Sequence, residues 1–201
     1  MWSPVVKLAA FLTLIHVAQA QCSYSMLQEL TKSYVSSRLA GQISTLSTAV
    51  YTENFKSSTI QNSVHAQPLR IDHNRSLHDT TQCATYTELI ITDSRHPYVI
   101  GTQMRYTPEG QLTQIDSLVT DAGDWLFNAT GTLYWATRED WSPIPEARRD
   151  SRAVIKAGAD AYLDLFSNKS TVVPWGTPCA RLEGGSYTGQ GRPTDSCNLV
   201  L

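Results

Sequence analysis

Several motifs with well-defined chemistry are missing from this sequence. No C-x-x-C and no H-x-x-x-H spacing occurs, so a zinc site has no ligand pattern to rest on. There is no G-x-G-x-x-G fingerprint and no phosphate loop, so neither a nucleotide cofactor nor a metal is expected. Charge of one sign is also lacking: 16 Lys and Arg stand against 18 Asp and Glu, with no basic stripe, which argues against nucleic acid as a partner. After the first twenty residues, no stretch approaches the roughly 20 apolar residues needed to cross a bilayer. The early run is itself too short. Met1–Ala20 has one early positive charge at Lys7, an apolar run from Leu8 to Val17 and then Ala18-Gln19-Ala20, the pattern of a cleaved signal peptide. A mature chain starting near Gln21 leaves roughly 180 residues, the length of a single domain spanning 21–201.

All four cysteines, Cys22, Cys83, Cys179 and Cys197, lie after the leader. An even count in an oxidising compartment reads as two disulfides. Three connectivities are open. The favoured one joins Cys179 to Cys197, closing a glycine-rich loop, and Cys22 to Cys83, tethering the N-terminus to mid-chain. Sequons at Asn74, Asn128 and Asn168 become glycan acceptors in the secretory pathway. The expected location is therefore secreted or the secretory-pathway lumen.

The run Pro174–Gly189 reads as a tightly specified loop, because its prolines fix φ and its glycines permit positive φ. It sets Arg181 and Glu183 beside Trp175 and Tyr187, the composition of a pocket wall or lid. The alternative is a stapled cap with a surface ion pair.

Upstream, Ser25 with Gln28 fits a capping box, and Met26, Leu27, Leu30 and Tyr34 recur at helical spacing, which predicts a helix ending near Gly41. Ile43–Val50 reads as a second short helix, Tyr51–Phe55 as a turn or hook, and the chain from there to Asp79 as a long polar excursion. The middle is β. Thr85–Thr92, Tyr98–Tyr106 and Leu112–Thr120 alternate as hairpin-connected antiparallel strands, turned by Pro108-Glu109-Gly110. Trp125–Phe127 and Leu133–Trp135 are read as pieces that complete the sheet or pack beneath it. A second long helix spans about 146–166, with Val154, Gly158, Tyr162 and Leu165 on one stripe. The fold class is α+β, a curved antiparallel sheet covered by helices with a disulfide-closed C-terminal loop.

Four strings carry a resemblance: Tyr51-Thr52-Glu53-Asn54, the run from Leu69 to Asp79, Pro174–Cys179 and Arg181–Gly185. They resemble secreted fungal proteins of a domain family without an assigned function, similar to the ketosteroid-isomerase-like, nuclear-transport-factor-2-like cone fold. The resemblance implies a cone-like α+β roll. It also implies cofactor-independent isomerase, dehydratase or cyclase chemistry on polyketide or terpenoid intermediates in fungal secondary metabolism, with maleidride-type dimerisation among the associated reactions.

Two constellations carry candidate chemistry beside the Arg181–Glu183 loop. Asp72, His73, His78 and Asp79 form two acid and imidazole pairs, and an imidazole oriented by a carboxylate is a general base. The plainer account is a solvated loop next to a glycan. Glu88 shares a strand face with Tyr86 and Ile90, where desolvation would raise its pKa toward proton-transfer chemistry. Its plainer account is an outer-face residue paired with an arginine. His65 and His96, without partners nearby, are read as incidental. Gly184-Gly185-Ser186 only begins like a nucleophile elbow and no helix follows, so serine catalysis is not expected. The leading expectation is an enzyme with Asp72, His73, Glu88, Arg181 and Glu183 as catalytic candidates and a small apolar carbonyl compound as substrate. The competing one is a binding protein for such a molecule, and a third is a surface glycoprotein without a cavity. Acid–base groups converging with Arg181 or Glu183 favour the enzyme, and an apolar cavity favours the binder.

Overall fold

The computed structural model describes residues 22–46 and 49–198, so the expected leader lies outside the described residues. Helix α1 runs Tyr24–Ala40. Its N-cap is Ser23, whose side chain accepts from the Met26 amide, so the cap sits two residues before the Ser25 expected from the sequence. Gly41 ends it in the left-handed region at φ 64°. Among the described residues of 43–50 no helix forms, correcting the short helix expected there. A turn leads into β1 (Val50–Glu53), and Asn54 and Phe55, both at positive φ, reverse the chain into β2 (Lys56–Ser58). Two single 3-10 turns at Ile60–Asn62 and Val64–Ala66 follow.

The polar excursion expected up to Asp79 ends early. His73–Asp79 is strand β3, antiparallel to β4 (Ala84–Ile91). Strands β5 (Tyr98–Tyr106) and β6 (Leu112–Thr120) complete the antiparallel run. The sheet order is β2-β1-β6-β5-β4-β3, and β1 pairs with β6 in parallel, so the sheet is not wholly antiparallel.

Alternation divides the sheet cleanly. The inner face carries Tyr51, Leu89, Ile91, Ile100, Met104, Tyr106 and Ile115, all buried, and α1 lays Leu27 and Tyr34 onto it. The outer face takes α2 (Ala129–Ala136), which buries the small residues Ala129, Thr132 and Ala136. Of the two alternatives for Leu133–Trp135, completing the sheet is ruled out, since the segment is a helix packed against it, and Trp125–Phe127 belongs to the turn before that helix. The long second helix is shorter than expected. A 3-10 turn at Glu146–Arg148 stands apart from α3 (Arg152–Asp164). The C-terminal loop is irregular except for a small hairpin, β7 (Leu182–Glu183) and β8 (Ser186–Tyr187). Both favoured disulfides form, Cys22–Cys83 and Cys179–Cys197, and no described cysteine is free. The architecture is α+β, a curved open sheet with three helices.

Candidate functional site

The C-terminal loop is held rigidly by its own backbone. The Cys179 amide donates to the Asp195 carbonyl at 2.8 Å, and the Thr188 amide to the Arg181 carbonyl at 2.9 Å. Gly184 and Gly185, at φ 55° and 93°, let the hairpin press against the chain entering α2; a Cβ on Gly184 would lie 2.5 Å from the Leu126 carbonyl oxygen. Tyr187 then stacks on Trp135 of α2 with ring centroids 3.9 Å apart.

This fixed loop forms one wall of a cleft of about 500 Å³, and α3 supplies the other through Gly158 and Tyr162. Trp175 meets Tyr162 edge-on at 5.3 Å. Val173, Pro174 and Leu182 complete an apolar lining around a single charged pair, Arg181 and Glu183, whose Nη1 and Oε1 approach to 2.6 Å. Both side chains are largely buried, and Arg181 Nε is buried without a hydrogen-bond partner. A buried donor left unsatisfied is costly and favours any ligand that brings an acceptor.

The other sequence candidates do not line this cleft. Asp72 is exposed, and its Oδ2 accepts from the Thr92 amide at 2.7 Å and the Thr92 hydroxyl at 2.8 Å, which fixes the chain at the edge of the sheet. The two acid and imidazole pairs are separated by strand alternation. His78 points inward to the Thr31 hydroxyl at 3.0 Å, whereas Asp79 faces outward and holds Arg152 through two hydrogen bonds. Burial works against ionisation of Asp79, yet the hydrogen bonds from Arg152 and from the Gln82 and Thr81 amides, with the charge of Arg152, together outweigh it and lower the carboxyl's pKa.

His73 and Glu88 do come together. Glu88 stands opposite Arg75 in the β3–β4 register, with His73 on the next outward position. Glu88 keeps the face expected of it, with Tyr86 and Ile90. Burial raises its pKa, and the charges of Arg75 and His73 pull it back only in part. Glu88 Oε1 and His73 Nε2 are both buried without partners. Arg75 is committed elsewhere, to the Ala136 carbonyl at 2.7 Å and Glu139 at 2.6 Å, with its guanidinium 4.2 Å from the Trp141 ring centroid.

A third cluster lies among residues that were not candidates. His65, read as incidental, is fully buried, and its Nε2 lies 2.9 Å from Ser117 Oγ. Ser117 continues to Thr102 at 3.1 Å, and Thr102 accepts from the Tyr34 hydroxyl at 2.9 Å. Arg38, also fully buried, donates to the His65 and Gln42 carbonyls and has no ion pair among the described residues. The sequence signal was there: Thr102 interrupts an alternating apolar face, and Arg38 follows Tyr34 by one helical turn. The cluster packs buried side chains against the inner face of the sheet, joined by these hydrogen bonds except at His65 Nδ1 and Arg38 Nε, which are buried without partners. Among the described residues, no group of three His, Cys, Asp or Glu side chains could hold a metal.

The molecule is thus an α+β protein with an open curved sheet, two disulfides and a mostly apolar cleft built from its last fifty residues. Residues 148–201 match the model of a family described as a domain of unknown function (DUF8021), and this segment contains both walls of the cleft. No curated protein and no solved structure matches the chain.

Proposed function

We propose that this is a secreted small-molecule-binding protein whose cleft takes a largely apolar carbonyl compound. The observation that carries the reading is Arg181, which with Glu183 is the charged pair in a lining otherwise made of apolar and aromatic residues, and whose Nε is buried without a partner. Aromatic and aliphatic surface with one polar anchor is how small-ligand sites combine affinity with orientation, and about 500 Å³ falls in their usual range of roughly 300–1,000 Å³. Glu183 holds the guanidinium in place, leaving Nε–H to meet a carbonyl oxygen. Two disulfides fit an oxidising compartment. The strand order, with β1 parallel to β6 and α1 lying in the concavity, supports the cone-like roll of ketosteroid-isomerase-like proteins.

A second reading, cofactor-independent isomerase, dehydratase or cyclase chemistry in secondary metabolism, is favoured by a different observation. Glu88 is a desolvated carboxyl of raised pKa with His73 beside it, a pairing suited to moving a proton next to a carbonyl. A substrate using it would have to enter beneath α2.

One comparison tests both. Titrating the mature protein with 1-tetralone and with tetralin, followed by tryptophan fluorescence, isolates the carbonyl. A hydrogen bond to a charged group predicts about tenfold or more tighter binding of the ketone, with the preference erased in Arg181→Gln and both ligands weakened in Trp175→Ala. Equal binding of the two compounds, or none, sinks the binding reading. The same ketone in D2O reports catalysis: α-proton exchange lost in Glu88→Gln puts chemistry beneath α2, exchange lost in Glu183→Gln puts it in the cleft, and no exchange above buffer ends the enzyme reading.

A further inference from the structure

The outer sheet face carries a second concavity, of about 600 Å³, between β3–β5 and the start of α3, and it shares no residue with the cleft above. Its floor is set by strand register. Leu77, Tyr86 and Gln103 stand opposite one another on three strands, and Asp79, Ala84 and Arg105 form the next row. Tyr86 does not stand off this floor. Its ring reaches sideways over Gly101, where an added Cβ would collide with the phenol oxygen and come within 3.0 Å of Cζ and 3.2 Å of Cε2. Only glycine lets the ring lie down on the sheet. Lying there, Tyr86 remains 42% exposed.

Planar polar groups surround the ring. Arg105 donates to Gln103 Oε1 at 3.2 Å, and Asp79 and Arg152 form a bidentate pair at 2.9 and 2.7 Å. Beyond Gln103, Asp116 is held by Thr52 at 2.6 Å and by Gln114 at 2.7 Å. Ile155 of α3 forms the opposite wall.

We propose that this groove binds saccharide, with a pyranose stacking its C–H face on Tyr86 while Gln103, Arg105 and the Asp79–Arg152 pair hydrogen-bond its hydroxyl rim. A sugar is the ligand class that presents an apolar face and, around it, hydroxyls that each donate and accept. The groove supplies an exposed aromatic face together with donors and acceptors fixed in planar pairs. Arg152 is matched by Asp79, which leaves Arg105, hydrogen-bonded to Gln103, as the one unmatched charge of Asp79, Arg105 and Arg152, so no cluster of cations calls for a phosphate. A purely apolar ligand would strip water from Gln103 and Arg105 without replacing it, which is unfavourable.

The test uses the mature protein and three β-linked hexasaccharides, cellohexaose, laminarihexaose and chitohexaose, by isothermal titration. Saturable binding of at least one is expected. Tyr86→Ala and Gln103→Ala should each weaken it about tenfold, as loss of a stacking face or a polar contact does, with Tyr86→Phe close to the parent. Gly101→Ala, which lifts the ring, should weaken binding while every sugar-contacting side chain is retained. If Tyr86→Ala does not fold, Gln103→Ala decides. Failure of all three sugars to bind overturns the proposal, as does parental affinity in Tyr86→Ala or Gln103→Ala. Competition by 1-tetralone would place the sugar in the other cleft and likewise overturn it.

Discussion

His65 is the residue on which the interior is centred. It lies edge-on to Tyr34 at 5.8 Å and to Tyr51 at 5.9 Å, and it anchors a hydroxyl chain through Ser117 and Thr102 to Tyr34. Burial, assisted by the nearby charge of Arg38, pushes its pKa down to about 3. The unfolded chain, with His near 6.5, binds a proton that the folded chain refuses, so stability is complete above about pH 6.5 and falls as pH drops from there toward 3. Each unit of difference is worth about 1.4 kcal/mol, so the loss should reach a few kcal/mol before carboxylates titrate. Urea midpoints measured from pH 7 to pH 4.5 should fall for the parent. His65→Gln, which keeps a donor toward Ser117, should start lower and show a flatter slope. Parallel slopes would mean that His65 takes up its proton in the folded state and that the network is open to solvent.

At the scale of elements, the sequence revealed what period and caps encode. Strands β4, β5 and β6 were legible because Tyr98, Ile100, Thr102, Met104 and Tyr106 alternate strictly, and α1 because Leu27, Leu30 and Tyr34 recur on one stripe. Strand β3 was not legible. Its residues, His73 to Asp79, are polar on both faces, because one face meets hydroxyls and the other ion pairs, and so no apolar alternation marks it. Helix α2 was not recognised as a helix for the opposite reason. Trp135, Tyr134 and Leu133 drew attention, while the contact is made by Ala129, Thr132 and Ala136, whose small side chains let the helix lie close to the sheet. The candidate site divided in the same way. The Arg181–Glu183 wall could be read from a local string, but the separation of His78 from Asp79 depended on a strand not visible in the sequence. Helix α3 has no buried residue along Arg152–Asp164, so its attachment rests on partly exposed contacts, the edge-on packing of Tyr162 on Trp175 and the ion pair at its first turn. Asp79 clamps its first turn through Arg152. Asp79→Asn should therefore raise amide exchange in α3 while exchange in β4–β6 is unchanged, with a global cost of about 0–1 kcal/mol, as for partly exposed pairs. Uniform acceleration through the sheet would show that the clamp supports the core and not only the helix.

At the scale of the whole molecule, two layers of unequal character are joined. The contiguous apolar core draws its buried residues only from Cys22 through Ile115, whereas the chain after β6 contributes helices and loops laid over the outside. The tryptophans follow the same division. Apart from Trp2, outside the described residues, all of them lie in the outer layer, at Trp125, Trp135, Trp141 and Trp175. Tryptophan fluorescence therefore reports the outer layer, whereas far-ultraviolet circular dichroism reports both layers, the sheet and α1 in one and the helices α2 and α3 in the other. The Cys179–Cys197 bridge closes a loop of 18 residues at the end of the outer layer. Its loss should cost roughly 3 kcal/mol by chain entropy, borne by the layer it closes. In Cys179→Ser paired with Cys197→Ser, the fluorescence melting midpoint should fall by several degrees or more, and the dichroism should split into two steps, one with the fluorescence as α2 and α3 melt and one near the parent midpoint as the sheet and α1 melt. Ketone binding should be lost with the first, since Arg181 and Trp175 hold their places only while the loop is closed. If both signals fall together, the outer layer is an integral part of a single cooperative unit, and the cleft is as stable as the sheet beneath it.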